Sequence, residues 1–198
     1  MDHSNRPRMI VFLGNSGKQY ERTRHNAGWM LADRLVASPA GPWTMKFRGS
    51  WIRVDDPAFI ALRPLTMMNR SGESVQAAAR YFRLTAPEIA IAHDDTELEF
   101  GSVGFRRAGG LGGHNGLRSV ENHLGSRDFW RIRIGVGRAA SGRTAGNRAA
   151  NGLSAHVLGR FTREEEAFLP VILDTACARV SEGLADGFDR LPDRVIVT

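Results

Sequence analysis

Cysteine is almost missing from this 198-residue chain: Cys177 stands alone. One thiol excludes an internal disulfide framework and any multi-cysteine zinc site, and a reducing, cytoplasmic setting is the simple expectation. No apolar run approaches the roughly 18–20 residues needed to span a bilayer. The apolar stretch Arg8–Leu13 is too short for a signal-peptide core, and Gly14 and Asn15 follow it. There is no internal repeat and no linker-like stretch between two halves, so the expectation is one domain over residues 1–198. With 42% hydrophobic and 24% charged residues, global disorder is excluded, and the length suffices for a core without metals or disulfides.

Lysine is the other scarcity. Lys18 and Lys46 are the only two among 27 basic residues, and the rest are arginine. Residues 106–148 hold nine arginines against Glu121 and Asp128, a local +7 in a chain of net +6. A positive field concentrated in this way favours a polyanionic partner, nucleic acid first, over a merely solvated basic face.

Hydrophobic periodicity outlines the elements. Arg8–Leu13 reads as a buried strand closed by the turn Gly14–Gly17, and Asn26–Val36 as a helix with Ala27, Met30, Leu31 and Leu35 on one face. Trp43–Val54 and Phe59–Leu62 read as a hairpin around Asp55-Asp56-Pro57. Ser71 is the expected N-cap of a helix to Phe82. Ile89–Ala92 and Ser102–Arg107 read as strands, and a helix from Asn115 to Leu124 follows the cluster Gly109–Gly113. Arg131–Val136 alternates charged and apolar residues like a strand with one wet face. Residues 139–155, rich in Ala, Gly, Ser, Asn and Arg without a period, read as a long mobile basic loop. Residues 163–188 carry the clearest helical stripe, and Cys177 lies beside it as a structural thiol. Alternating strands and helices with one hairpin predict a single α/β domain, a mixed central β-sheet flanked by helices.

Several motif matches fail on context. Gly135-Val136-Gly137-Arg138-Ala139-Ala140 fits a dinucleotide fingerprint, but no apolar helix and no downstream acid follow. Gly17-Lys18-Gln19 lacks the hydroxyl of a phosphate-binding P-loop. Gly14-Asn15-Ser16-Gly17 is one residue short of a nucleophile elbow. His93 and Asp94 are neighbours on a strand, so their side chains point to opposite faces and do not converge on one ion. Neither a metal nor a cofactor is expected.

Five polar residues sit where apolar runs end: Asn15, His25, Asn69, Asp94 and Asn115. Ligand sites of open α/β sheets gather at strand C-termini, so these residues share one cleft if the fold is of that type. A histidine serves as general base near neutral pH. A carboxylate beside it fixes its tautomer and stabilises the imidazolium, and asparagine amides match a peptide or ester group. No serine or cysteine stands out as nucleophile, so the implied reaction is attack by a base-activated water. Each residue also has a local reading: Asn15 as a turn former, Asn69 and Asn115 as helix caps, His25 as an ordinary helix-start residue, and His93 and His114 as hydrogen-bonded structural histidines.

At these residues the chain resembles the bacterial peptidyl-tRNA hydrolases. The resemblance rests on Gly14-Asn15-Ser16-Gly17 with Tyr20, Thr23-Arg24-His25-Asn26-Ala27-Gly28, Arg63–Gly72, His93-Asp94-Asp95, Gly112-Gly113-His114-Asn115-Gly116-Leu117 and Arg131–Gly137. It implies a monomeric, cytoplasmic enzyme that hydrolyses the ester between a peptide and the 3′-terminal ribose of tRNA. By that resemblance His25 activates water and Asp94 orients it. Asn15 bonds near the scissile group, and Asn69 and Asn115 hold the peptide backbone and position the water. Tyr20 and Met68 line the groove, and no metal or cofactor takes part. Arg106 and Arg133 would clamp the 5′-phosphate end of the acceptor stem, and Arg143 and Arg148 would add phosphate contacts from the 139–155 loop. Departures from the family pattern are Ser16 for a common proline, Met67 for a usual aromatic, and Asp95-Thr96-Glu97 after Asp94.

Two other classes compete. A non-catalytic RNA-binding protein on the same fold would have no chemical need to keep His25, Asp94, Asn69 and Asn115 together. A small-molecule esterase with a basic surface would turn over simple esters with little sensitivity to salt.

Overall fold

The computed structural model describes residues 5–36, 41–138 and 148–197, with the side chains of 148–151 outside that description. One eight-stranded mixed sheet organises it: β1 (Met9–Phe12), β2 (Thr44–Lys46), β3 (Gly49–Asp55), β4 (Ala58–Pro64), β5 (Ile89–Asp95), β6 (Ser102–Arg107), β7 (Trp130–Gly135) and β8 (Arg194–Ile196). Their spatial order is β2-β3-β4-β1-β5-β7-β6-β8. The central β4-β1-β5-β7 pairings are parallel and the outer pairings antiparallel.

Alternation along the strands sorts residues into two cores. Ile10, Phe12, Ala90, Ala92, Ile132 and Ile134 pack on one face with helices α1 (Ala27–Leu35) and α5 (Arg163–Asp186). Met9, Val11, Ile89 and Ile91 pack on the other with α2 (Ser71–Phe82) and α3 (Asn115–Leu124). Because β1 and β5 are covered on both faces, they read as unbroken apolar runs.

The structure corrects several boundaries. The long stretch Trp43–Val54 is two strands, turning at Phe47 and Arg48, both left-handed with φ of 60° and 53°. Neither central position is glycine, proline or asparagine, and Gly49 at its far end is the one turn residue beside it. Ser71 is the first residue of α2 rather than its cap, and its hydroxyl donates back to the Met68 carbonyl at 2.9 Å. The strand at Ile89 runs on through Asp95. The 139–155 segment is only partly loop: α4 (Arg148–Leu158) is a helix packed on the segment before α1, while 139–147 lie outside the described residues. Its alanine content suits a helix, but its polar first turn hides the period. α5 begins at a capping box, in which the Thr162 hydroxyl accepts from the Glu165 N–H and the Glu165 carboxylate from the Thr162 N–H. The face of β7 read as wet is covered, as shown below.

β1 lies between β4 and β5, so the chain crosses from one side of β1 to the other through α2. That reversal opens a crevice at the strand C-termini. Helix α1 is pressed directly onto this end. A Cβ on Gly28 would lie 2.5 Å from the Leu13 carbonyl oxygen and 2.6 Å from that of Ala92, with no flexible atom to yield. Alanine normally favours a helix interior over glycine by about 1 kcal/mol. Here the steric cost of about 1–3 kcal/mol or more outweighs that gain. Gly28→Ala is therefore expected to lower the urea midpoint, and an unchanged or raised midpoint would refute this close approach.

Candidate active site

The crevice is a cleft of about 620 Å³ lined by Asn15, Tyr20, His25, Met68, Asn69, Asp94 and Asn115, so every residue expected in the catalytic and peptide-binding groups meets there. They reach it from four parts of the chain: Asn15, Tyr20 and His25 between β1 and α1, Met68 and Asn69 after β4, Asp94 near the end of β5, and Asn115 at the start of α3. Met67, Leu153, Val157 and Leu158 add an apolar rim, the last three from α4, and Arg118 on α3 contributes a cation.

Asp94, 2% exposed, anchors the chemistry. One of its carboxylate oxygens lies 2.8 Å from His25 Nδ1 and 3.0 Å from His114 Nε2. A carboxylate only accepts, so His25 carries its proton on Nδ1 and presents an unprotonated Nε2. The His114 tautomer follows from its other nitrogen. Nδ1 accepts from the Gly116 and Leu117 N–H groups at 3.1 and 3.3 Å, which caps α3 and places the proton on Nε2. Burial alone would push the Asp94 carboxyl up. The rings of His114 and His25, by charge and by hydrogen bond, overrule it and hold the carboxyl below the usual range.

His25, Asp94 and His114 offer donor atoms within 4.8 Å of one another, as a metal site would. The hydrogen bonds argue against that use. His114 Nε2 bears a proton, and moving it to Nδ1 would aim an N–H at two backbone N–H donors. The trio is bonded as a proton-holding network, in which His114 has no lone pair left to offer an ion.

Asn15 is oriented from three sides. Its side-chain carbonyl accepts the Met68 N–H at 2.8 Å, leaving its NH₂ to face the cleft. Its backbone exchanges two hydrogen bonds with the Asn26 side chain, at 2.9 and 3.0 Å. The His25 segment is held from behind by buried Arg24, whose guanidinium donates to the Arg160 carbonyl at 2.7 Å and to Glu165 at 2.5 Å. Asn26 and Arg24 escaped individual notice in the sequence because both fall inside the Thr23–Gly28 string, and His114 was read as structural only. The alternation argument at His93 holds: its Nδ1 donates to the Asp94 backbone carbonyl at 2.7 Å, away from the carboxylate.

The arginines divide. Arg106 is exposed. Arg133 is 12% exposed and paired with Asp95 at 2.7 Å. Arg133 shares a sheet face with Arg106, because Gly104 pairs with Arg133 and Arg106 with Arg131. Arg143 lies outside the described residues, and Arg148 opens α4 with its side chain outside them. Cys177 is not among the cleft residues, and burial pushes its thiol up to about 11, which suits a packing role.

With this geometry in place, comparison with known proteins is decisive. The family profile described as peptidyl-tRNA hydrolase matches residues 9–196. This chain belongs to the peptidyl-tRNA hydrolase family. It is 45% identical over 167 residues to the peptidyl-tRNA hydrolase of Treponema pallidum (strain Nichols), covering 82% of this chain and 79% of that one. With the peptidyl-tRNA hydrolase of Gloeobacter violaceus it shares 39% identity over 187 residues, covering 92% of this chain and 90% of the other. The crystal structure of the Acinetobacter baumannii peptidyl-tRNA hydrolase superposes with a TM-score of 0.81 at 33% identity, covering 92% of this chain and 90% of that one.

The buried network makes the fold acid-sensitive in two stages. Burial, with His114 beside it, pushes His93 down to about 3. An unfolded histidine titrates near 6.5, so below about pH 6.5 the unfolded chain takes a proton that the native ring refuses. Stability therefore falls as pH drops toward 4. Below about pH 4 the depressed Asp94 adds a second loss, because the unfolded carboxyl protonates first. Urea midpoints measured from pH 7.5 to 4 should decline, and His93→Asn, which keeps a donor at the Nδ1 position, should flatten the decline. An equally steep decline in that variant would remove His93 as its source.

Proposed function

We propose that this chain hydrolyses the ester between a peptidyl group and the 3′-terminal ribose of tRNA by direct attack of water, without metal or cofactor. The observation that carries this reading is the 2.8 Å hydrogen bond between His25 Nδ1 and Asp94 in the wall of a cleft lined by three asparagine amides, which leaves Nε2 as the nitrogen that can accept a proton. His25 Nε2 takes a proton from water, and the hydroxide adds to the ester carbonyl. Asp94, ionised and fixed by His114, stabilises the imidazolium that forms. The imidazolium then returns the proton to the departing ribose oxygen as the tetrahedral intermediate collapses. The Asn15 NH₂, its carbonyl already committed to Met68, donates near the scissile group, where charge develops on the oxygen. Asn69 and Asn115 bind the peptide backbone next to the ester and position the water. Tyr20, Met68 and the apolar rim of Met67 and Leu153 receive the 3′-terminal base and the peptide. Among the described residues no serine, threonine or cysteine bonds to His25, which supports water over a side-chain nucleophile.

The exposed Arg106, with Arg133 held by Asp95 on the same face, supplies the phosphate contacts for the acceptor stem. Arg143, from the segment before α4, and Arg148, at the first position of α4, would add to them. Such contacts set register without reading sequence, as an enzyme acting on every tRNA needs. The chain acts as a monomer in the cytoplasm. Among the described residues, no helix is long and apolar enough to cross a membrane.

Wild type should release N-blocked peptide from peptidyl-tRNA in the presence of chelator, and His25→Ala should lose ~10²-fold or more. Unblocked aminoacyl-tRNA should be spared. Tight tRNA binding without cleavage by wild type would point to an RNA-binding protein instead. Affinity for tRNA should also fall steeply with salt, and Arg106→Gln should reduce the slope of log affinity against log salt by about 0.7–0.9. An unchanged slope would remove Arg106 from the phosphate contacts.

A further inference from the structure

Arg131 stands in the stretch of β7 whose charged positions read as wet, yet it is 3% exposed. Its guanidinium donates through Nη1 to the Gly110 carbonyl at 2.6 Å and through Nη2 to the Ala108 carbonyl, and its buried Nε has no partner. Asp95 and Glu97 lie near enough to favour its charge, but Asp95 is taken by Arg133 and neither carboxylate hydrogen-bonds to Arg131. Burial, with Arg133 and Arg106 nearby, pulls this guanidinium down to about 10. A buried cation satisfied only by carbonyls is costly, so what it holds bears on its role.

It holds the segment that delivers His114 and Asn115. β6 ends beside the start of β7, because Arg107 pairs with Trp130, whereas Asp94 pairs with Ile134. From the level of Arg131 the chain must climb three residues' rise, about 10 Å, to reach Asp94. It does so through Ala108–Gly113, in which Ala108, Gly109, Gly112 and Gly113 are all left-handed. That conformation costs nothing special in glycine but strains Ala108, at φ 56°. A run of this kind has little stiffness of its own. Its first residue is tied to the sheet through the Ala108 N–H to the Phe129 carbonyl, whereas the His114 N–H to the Leu111 carbonyl closes a turn within the run itself.

We infer that Arg131 is a positioning residue for the hydrolysis: its planar fork bridges the Ala108 and Gly110 carbonyls and sets the path of the 108–113 loop. Through that loop it places His114 against Asp94 and Asn115 in the cleft. Arginine is required because one rigid guanidinium spans two carbonyls, whereas the lysine ammonium is a point donor on a flexible stem. The inference rests on the hydrolase reading for its kinetic arm and on the loop itself for its structural arm.

The test compares wild type, Arg131→Lys and Gly109→Ala. The alanine Cβ at 109 would lie 3.1 Å from Arg131 Nη2 and equally 3.1 Å from Arg106 Nε in a left-handed residue, so it disturbs the same bridge from the loop side while also pressing on the Arg106 side chain. Both variants should keep the native circular dichroism spectrum and show faster amide exchange over 109–113. Single-turnover kcat should fall roughly ten- to a hundredfold, as for a sub-ångström to 1 Å misplacement of catalytic groups. In Arg131→Lys, which leaves Arg106 untouched, the slope of log tRNA affinity against log salt should not change. Wild-type kcat in Arg131→Lys would show that charge alone is needed and overturn the proposal. A salt slope reduced by about 0.7–0.9 in that variant would instead make Arg131 a phosphate ligand and overturn it too. If Arg131→Lys does not fold, Gly109→Ala alone decides, and wild-type kcat there is a refutation. If wild type itself cleaves no peptidyl-tRNA, the hydrolase reading fails, and amide exchange alone then decides whether Arg131 holds the loop.

Discussion

A single carboxylate oxygen of Asp94 accepts hydrogen bonds from His25 and His114, and the rest of the site is arranged so that this can happen. Burying a carboxylate is unfavourable unless it is fully engaged. Two imidazole donors engage it, and they come from opposite layers of the fold: His25 precedes α1 on one face of the sheet, and His114 caps α3 on the other. Asp94 is therefore the seam between the two layers as well as the partner of His25. The direction of each proton follows without further assumption. The α3 amides set His114, His114 and the buried environment keep Asp94 ionised, and Asp94 sets His25.

The surroundings hold that geometry from several directions. Gly28 lets α1 settle onto the carbonyls of Leu13 and Ala92, bringing His25 down to the end of β5. Arg24 ties the same segment to the α4–α5 junction. Asn26 and Met68 orient Asn15, so that its amide offers a donor rather than an acceptor to the cleft. Arg131 anchors the run that ends at His114. These devices are hydrogen bonds and close backbone contacts at fixed positions, and a misplacement of about 1 Å costs an active site ~10²-fold in rate.

Legibility in the sequence tracked how local the cause was. The buried strands β1 and β5, the stripe of α5 and the start of α3 announce themselves through periodicity or turn chemistry carried within a dozen neighbouring residues. The turn at Phe47-Arg48 and helix α4 do not. The first is bent by its aromatic and ion-pair neighbours rather than by turn residues at its centre: Phe47 packs with Trp51, Tyr81 and Phe82, and Arg48 pairs with Glu73. The second packs against distant segments, through His156 to the Val136 and Gly137 carbonyls and through Val157 into the cleft wall. β8 is a three-residue edge strand that exists only because β6 offers it a partner.

By itself the sequence determined the α/β class, the absence of a cysteine framework, the basic stretch at 106–148 and the five polar residues at the ends of apolar runs. These depend on residue type and short-range period, which a linear chain displays directly. Only the tertiary structure decided that His114 belongs with His25 and Asp94, which face the Asn15 amide turns to the cleft, and that Arg131 and Arg133 are covered while Arg106 is open. Those facts concern hydrogen-bond partners 20 to 69 residues apart. The tautomer of a histidine and the cost of a buried charge depend on which atoms meet across such distances, and residue type alone leaves that open.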